Sequence, residues 1–237
     1  MAFIKNNVAH VFTLGNLVSG SIACVQIILG DYRAVGIFLT LSLIFDFLDG
    51  FIARALHSNS NLGAELDSLA DMISFGFLPG LVFYKALEPF DSVFFGINFP
   101  FPIQYFGFLL TVFSALRLAL FNLDEEQKFY FKGLNTPSCT LMVFGFFYAY
   151  QKYGAYSFLL ENKTLLLLGM AFLSWLLISR VKMMALKSKS KKWKDNIPKI
   201  ILLSGSLLIL ILLGVIGIPL VVIFYILLSL SLQGKLN

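Results

Sequence analysis

Four aspartates, Asp46, Asp49, Asp67 and Asp71, lie in a stretch of the chain that is otherwise typical of membrane-spanning helix. Each carboxylate at membrane depth costs roughly 2.5–3.5 kcal/mol to insert, so four together need a compensating partner. The i, i+3 and i, i+4 spacings place each pair on one face of a helix. Oxygen-only clusters suit hard cations such as Mg²⁺, Mn²⁺ or Ca²⁺. Four carboxylates can hold two ions about 3.5–4 Å apart, an arrangement that supports in-line displacement at phosphorus.

Small residues accompany these acids at matched positions: Gly50 and Ala53 on the first helix and Gly63 before the second. Their size leaves a groove beside the carboxylates. A single Asp at a helix end is commonly a cap or a solvated residue, and a pair of membrane carboxylates can be the proton or sodium site of a transporter. Four acids with small neighbours favour a metal site over these alternatives.

The composition indicates a polytopic membrane protein. The chain has 237 residues, of which 58% are hydrophobic and 13% charged, whereas soluble domains carry about 25% charged residues. The net charge of +5 does not indicate nucleic-acid binding, because many of the lysines fall in one short loop beside membrane spans. These lysines are Lys182, Lys187, Lys189, Lys191, Lys192, Lys194 and Lys199. The two cysteines lie in apolar segments and imply neither a disulfide framework nor a zinc site.

Apolar stretches of the length that a bilayer requires predict an all-α fold with seven or eight spans. The predicted helices are 10–29, 34–55, 66–87, 102–121, 137–152, 163–181, 197–214 and 217–233. The distribution of Lys and Arg predicts a cytoplasmic N-terminus, which puts the four aspartates at the cytoplasmic ends of the second and third helices. We expect one transmembrane catalytic domain over 1–237, with a core of about 8–182 and a C-terminal helical pair of about 197–233, whose stretches 201–213 and 219–230 carry no charged residue.

The spacing Asp46-x2-Asp49-Gly-x2-Ala-Arg-x8-Gly-x3-Asp67-x3-Asp71 resembles the signature of the CDP-alcohol phosphotransferase family of integral membrane enzymes. The resemblance implies a six-helix membrane core, usually dimeric, with an active site that opens to the cytoplasmic leaflet. It also implies two divalent cations, Mg²⁺ or Mn²⁺. Asp46, Asp49 and Asp67 are then metal ligands, and Asp71 is both a ligand and the general base. The nucleotide pocket is expected to be lined by Gly50, Ala53, Arg54 and Gly63.

Three further segments, 13–20, 114–122 and 131–138, resemble those of membrane-embedded phosphatidylserine synthases within that family. This resemblance implies CDP-diacylglycerol as donor, L-serine as acceptor, CMP as leaving group and an inner (cytoplasmic) membrane location. The third segment departs from the family pattern, because Asn135 and Ser138 stand where Pro and Ala are usual. Phosphatidylglycerophosphate synthase remains an alternative within the family, and an ion-coupled transporter remains an alternative outside it.

Five residues in these segments are candidates for substrate contact. Arg117 lies inside the fourth span, where its guanidinium fork suits a serine carboxylate or a phosphate, although it can also snorkel or pair with an aspartate. Asn122 and Lys132 are further candidates for the acceptor. Asn16 and Ser19 in the first span are expected to contact the nucleotide, although Asn16 can instead join helices by hydrogen bonding. Phosphatidylglycerophosphate synthase must hold an acceptor phosphate and should need more than one cation beside its site. Here Arg117 and Lys132 are the only candidates, and this small number favours serine as the acceptor.

Overall fold

The computed structural model describes residues 2–56, 61–94, 96–124, 130–185 and 193–233. Residues 57–60, between the predicted second and third helices, lie outside these ranges, as do Lys187, Lys189, Lys191 and Lys192 of the lysine cluster.

The described chain is almost entirely helical, with two short antiparallel strand pairs. The first half contains α1 (Ala2–Leu29), α2 (Tyr32–Ala55), α3 (Asn61–Asp71), a π-helical segment (Met72–Phe77), α4 (Leu78–Leu87), β1 (Val93–Phe94), β2 (Ile97–Asn98), a 3₁₀ turn (Ile103–Gly107) and α5 (Phe108–Leu123). The second half contains β3 (Tyr130–Lys132), α6 (Thr136–Tyr153), α7 (Ser157–Leu160), α8 (Lys163–Ile178), β4 (Lys182–Met184), α9 (Trp193–Leu213), a 3₁₀ turn (Gly214–Ile216) and α10 (Gly217–Ser231).

Five helical stretches of the described residues are long and apolar enough to cross a membrane, so this is a multi-pass membrane protein. They are Val8–Leu29, Tyr32–Ala55, Asn61–Leu87, Ile103–Leu123 and Asn196–Ser231. The last stretch folds back at the turn Gly214–Ile216. This brings the Phe224 ring of α10 to 2.6 Å from the position that a Cβ on Gly205 of α9 would occupy. The all-α prediction is confirmed, and each of the eight predicted segments overlaps a helix.

The predicted sixth span, 163–181, is too long at its C-terminal end. The helix α8 stops at Ile178 because Ser179 adopts an extended conformation, and its hydroxyl donates to the Leu176 carbonyl at 2.9 Å. The chain then enters β4, which pairs with β3 in the register Lys132↔Lys182. This strand pair was not predicted, since neither strand is longer than three residues.

The departure at Asn135 has a local explanation. Asn135 is the N-cap of α6, and its side chain accepts a hydrogen bond from the Ser138 backbone N–H at 2.8 Å. Such a cap satisfies one of the N–H groups that a helix start leaves without a partner. The loop before α6 therefore keeps a defined entry into the helix although Asn135 departs from the family pattern.

The stretch α3–α4 is the most buried of the candidate spans, and its π-helical segment follows Asp71 directly. π-helical geometry changes the backbone hydrogen-bond pattern, and side chains from neighbouring helices satisfy carbonyl groups there. Thr140 of α6 donates to the Phe75 carbonyl at 2.9 Å, and Thr111 of α5 donates to the Gly76 carbonyl at 3.2 Å. These contacts fix the helix that carries Asp67 and Asp71 against the core.

Candidate active site

The aspartates converge as their spacing predicts. One carboxylate oxygen each from Asp46 and Asp49 of α2 and Asp67 of α3 lie within 4.8 Å of one another. The fourth acid, Asp71, is within hydrogen-bonding reach of Asp46. The two faces predicted from the i, i+3 and i, i+4 spacings therefore meet in one cluster between α2 and α3.

Two carboxylate oxygens in this cluster have no hydrogen-bond partner among the described residues. These atoms, Asp49 Oδ2 and Asp67 Oδ1, are both buried. Burying an ionised oxygen without a partner is expensive, whereas a bound cation would satisfy it. The residues present therefore fit a hard divalent cation, whose identity the all-oxygen donor set does not determine.

Asp71 is held by Asn16 of α1. The Asn16 side-chain amide donates to Asp71 Oδ1 at 3.1 Å, and its carbonyl oxygen accepts from the Ser42 hydroxyl at 2.6 Å. Ser74 donates to the Asn16 backbone carbonyl at 3.1 Å. Asn16 is 0% exposed, so it joins three helical segments inside the protein. The helix-joining alternative is thus realised, and nucleotide contact by Asn16 and by the buried Ser19 remains a prediction.

The predicted nucleotide residues lie beside the cluster. The position of a Cβ on Gly50 is 3.2 Å from Arg54 Nη1, so the missing side chain makes room for this guanidinium. Arg54 is exposed and interacts electrostatically with Asp49. Ala53 and Gly63 are both partly buried on the same two helices. The contact between the Thr13 hydroxyl and Asp49 was not predicted, although Thr13 lies one turn before Asn16.

A second feature is an open cavity of about 740 Å³ between α5, α8 and the loop that contains β3. Its charged lining residues are Arg117, Lys132, Arg180 and Asp124. Lys132 Nζ forms an ion pair with Asp124 Oδ2 at 2.6 Å. The structure thus brings two predicted acceptor residues, Arg117 and Lys132, to one cavity. Arg180 was missed, because in the sequence it reads only as a basic residue flanking the lysine-rich loop.

Arg117 joins the cavity to the aspartate cluster. It is 7% exposed, its guanidinium carbon lies 4.9 Å from the Phe121 ring centroid, and it interacts electrostatically with Asp71. Among the described residues its guanidinium has no hydrogen-bonded carboxylate partner. A buried guanidinium in this position suits an anionic ligand. The remaining candidate, Asn122, is exposed and donates to the Ser68 hydroxyl at 2.8 Å, next to Asp67 in the chain.

Comparisons with known proteins agree with this geometry. Residues 6–185 match the family model described as CDP-alcohol phosphatidyltransferase. A protein of Bacillus subtilis named CDP-diacylglycerol–serine O-phosphatidyltransferase is 27% identical over 75% of this chain and 89% of its own length. Proteins of the same name from Methanocaldococcus jannaschii (31% identical; 68% of both chains) and Helicobacter pylori J99 (32% identical; 70% of this chain and 66% of the relative) are also similar. The chain therefore belongs to the CDP-alcohol phosphatidyltransferase family of enzymes.

Proposed function

We propose that the protein is a CDP-diacylglycerol–serine O-phosphatidyltransferase that forms phosphatidylserine for phospholipid biosynthesis and releases CMP. The observation that carries the reaction class is the convergent set of carboxylates, in which Asp49 Oδ2 and Asp67 Oδ1 are buried without a hydrogen-bond partner among the described residues. The choice of serine rests on the names of the similar proteins.

Asp46, Asp49, Asp67 and Asp71 are the proposed ligands of two divalent cations, Mg²⁺ or Mn²⁺. Bound ions of this kind neutralise pyrophosphate charge and stabilise the charge that develops on the leaving group. The small residues Gly50, Ala53 and Gly63, with Arg54 at the edge and Asn16 and Ser19 behind, are proposed to form the nucleotide side of the pocket.

In the proposed reaction, Asp71 accepts the proton of the serine hydroxyl as that oxygen attacks the β-phosphorus of CDP-diacylglycerol. A bond forms between the serine oxygen and the phosphorus. The bond between this phosphorus and the bridging oxygen of CMP breaks, and CMP leaves with the electron pair. A serine hydroxyl has a high pKa, so a positioned base is needed in the transition state. The hydrogen bond from Asn16 supports this role, because it orients the Asp71 carboxylate.

Arg117 is the proposed anchor of the serine carboxylate. Its guanidinium can form a bidentate pair with a carboxylate. Its electrostatic interaction with Asp71 supports this role, because an acceptor bound there would lie near the proposed base. Asn122 and Lys132 are proposed to support the acceptor from the end of α5 and from β3. Both already contact neighbouring side chains, Ser68 and Asp124.

Glycerol 3-phosphate remains a second candidate acceptor, and one observation favours it. The sequence indicates only Arg117 and Lys132 as cations near the site, but Arg180 lines the same cavity. Three cations and one carboxylate can hold a phosphate dianion, so the number of cations does not favour serine. The transporter alternative is not proposed again, because the chain belongs to a family of transferases.

We also propose that the protein is a homodimer of the inner membrane with its active site facing the cytoplasm. The orientation is supported by Arg54, Lys132 and Arg180 near the aspartate end of the bundle, since cytoplasmic loops carry an excess of Lys and Arg. The dimer is supported by the family resemblance.

The test is an assay of the purified protein in lipid nanodiscs with CDP-diacylglycerol, Mn²⁺ or Mg²⁺, and labelled serine or glycerol 3-phosphate. We expect CMP release and labelled lipid with serine only. Product from glycerol 3-phosphate alone would overturn the choice of acceptor. Absence of CMP release with either acceptor, in a preparation that binds Mn²⁺, would overturn the transferase assignment. Replacement of Asp71 by Asn controls for contaminating activity.

A further inference from the structure

One face of the C-terminal helix α10, continued just past its end, hydrogen-bonds to the strand β4. Tyr225, Ser229 and Gln233 are spaced four residues apart, so their side chains lie along one side of the helix. The Gln233 amide bonds to both backbone groups of Lys182: its oxygen accepts from the N–H at 3.1 Å, and its nitrogen donates to the carbonyl at 2.6 Å. The helix and its extension thus engage the start of β4.

Ser229 and Tyr225 bond in the same way to the backbone groups of Met184, two residues further along β4. The Ser229 hydroxyl accepts from the Met184 N–H at 3.2 Å, and the Tyr225 hydroxyl donates to the Met184 carbonyl at 3.0 Å. Alternate residues of a strand point their backbone groups to the same edge, and an edge strand otherwise presents these groups without partners. The three side chains therefore take the hydrogen-bonding positions that a third strand would occupy along the free edge of β4. We call this set of three residues the C-terminal clasp.

The clasp supports a wall of the charged cavity. The Gln233 side chain bonds to the backbone of Lys182. Lys182 is paired in register with Lys132 of β3, and Lys132 lines the cavity. Arg180, another lining residue, lies two positions before Lys182. At the other end of the clasp, Tyr225 is 8% exposed and interacts electrostatically with Arg117. Lys132 is thus paired with the residue that Gln233 bonds, and Arg117 interacts with Tyr225 itself.

The clasp lies outside the part of the chain that defines the family. The family model ends at residue 185, whereas the clasp begins at Tyr225. The helical pair that carries it is apolar and has no charged residue between Ile200 and Gln233, so its sequence indicates packing, lipid contact or dimer contact. The pair also packs on the catalytic core, because Pro219 and Ile218 lie against Gly145 of α6. The hydrogen bonds to β4 indicate a role for this helical pair that its composition does not predict.

We infer that the C-terminal clasp sets the affinity for the acceptor: Tyr225, Ser229 and Gln233 are positioning residues that hold Arg117 and Lys132 in the arrangement that binds it. This inference rests on the proposed function, since it takes the charged cavity as the acceptor site. The clasp does not contact the aspartate cluster through any hydrogen bond of the described residues, so it should affect the acceptor and leave the donor unaffected.

The experiment compares KM for serine and KM for CDP-diacylglycerol in Tyr225→Phe, Gln233→Leu and the full-length parent protein. Both substitutions keep the side-chain volume nearly constant and remove hydrogen-bonding groups. We expect KM for serine to rise about tenfold, as loss of roughly one hydrogen bond would cause, with KM for CDP-diacylglycerol unchanged. The matched control is Ser231→Ala, whose hydroxyl bonds only to the Leu228 carbonyl of its own helix among the described residues.

The outcomes separate the inference from the function on which it rests. If the parent protein uses serine and the two KM values rise together, or if only the unfolding temperature falls, the clasp is merely structural and the inference is wrong. If glycerol 3-phosphate proves to be the acceptor, the same ratio measured with that acceptor tests the clasp. If the parent protein has no transferase activity, both the function and the inference fall. Should Gln233→Leu misfold, Tyr225→Phe carries the test, because it removes one hydroxyl only.

Discussion

Asn16 donates a hydrogen bond from its side-chain amide to Oδ1 of Asp71 across 3.1 Å, from within a fully buried position. The same amide accepts from Ser42, which precedes Asp46 by one turn of α2. One residue of α1 is therefore bonded to both helices that carry the aspartates. Because the amide must present its N–H groups to Asp71, it fixes how that carboxylate is turned.

The first prediction concerns this contact. Asn16→Leu removes the donor at similar volume and leaves Asp71 free to rotate. Hydrogen bonds to charged groups contribute about 1.5–3 kcal/mol, and each 1.36 kcal/mol is tenfold in rate. We therefore expect kcat to fall about 10- to 100-fold, with KM for serine little changed. Steady-state kinetics checks this against Ser21→Ala, an exposed site on α1 that bonds only within its helix. A rise in KM for CDP-diacylglycerol at normal kcat would instead indicate nucleotide contact.

The second prediction concerns Asp49 Oδ2 and Asp67 Oδ1, which have no hydrogen-bond partner among the described residues. Asp49→Asn and Asp67→Asn each remove one charged ligand, so we expect the Mn²⁺ concentration that gives half-maximal activity to rise at least ~10-fold. Electron paramagnetic resonance titration of Mn²⁺ measures binding independently of turnover. The matched control is Glu65→Gln, an exposed acid on α3 that lies off the motif. Equal Mn²⁺ affinity in all three variants would contradict the proposed ligand set.

The third prediction concerns metal removal. A cation that binds only the folded state stabilises it by mass action, about 2.7 kcal/mol at a hundredfold excess over Kd. Mn²⁺ should therefore raise the unfolding temperature of the EDTA-treated protein, and the double variant Asp49→Asn/Asp67→Asn should not respond. Thermal unfolding in detergent, followed by tryptophan fluorescence, gives this measurement. A shift that persists in the double variant would mean that Mn²⁺ binds elsewhere.

Much of the site could be predicted from the sequence because its chemistry is local. The spacings of Asp46, Asp49, Asp67 and Asp71 determine which helical face each occupies, and only a few residues of chain separate α2 from α3, so these faces can meet. The membrane spans are predictable for the same reason, since apolar length is a property of each segment. The extent of α8 was misjudged because Ser179 and its extended backbone end the helix within an apolar run.

The charged cavity could not be predicted in the same way. It combines Arg117 of α5, Lys132 of β3 and Arg180 after α8, which are far apart in sequence and meet only through tertiary packing. The three-residue strands β3 and β4 are too short to give a periodic signal. The clasp side chains that bond to β4 are, in the sequence, only isolated polar residues in an apolar stretch. No local rule links Gln233 to Lys182 across about fifty positions.

The fourth prediction separates the cations of the cavity. Arg117→Lys keeps the charge but loses the planar fork, so we expect KM for serine to rise about tenfold or more. Arg180→Gln should change KM for serine by less than about threefold, because a serine carboxylate is satisfied by one guanidinium. A large effect of Arg180→Gln would instead favour a phosphate-bearing acceptor. The control is Arg33→Gln, a cation near the start of α2, more than one helical turn from any aspartate of the cluster.

The last prediction concerns the close approach of α1 to the π-helical segment that follows Asp71. A Cβ on Gly20 would lie 2.8 Å from the Ser74 Cα and closer still to its hydroxyl, so Gly20→Ala must push α1 away from the helix that carries Asp71. Such overpacking costs typically about 1–3 kcal/mol. We expect a lower unfolding temperature together with a lower kcat, because Asn16 lies one turn away on α1.

Gly169 of α8 provides the matched comparison, because no atom of the described residues beyond its own stretch of helix lies within 4 Å of the position that its Cβ would take. Alanine is favoured over glycine in a helix interior by roughly 0.5–1 kcal/mol, so Gly169→Ala should leave stability unchanged or slightly raised and should not affect kcat. Thermal unfolding and CMP release, measured on both variants in the same detergent, check the pair. Equal unfolding temperatures for the two variants would show that α1 can shift without loss, and that the approach at Gly20 does not hold Asn16 against Asp71.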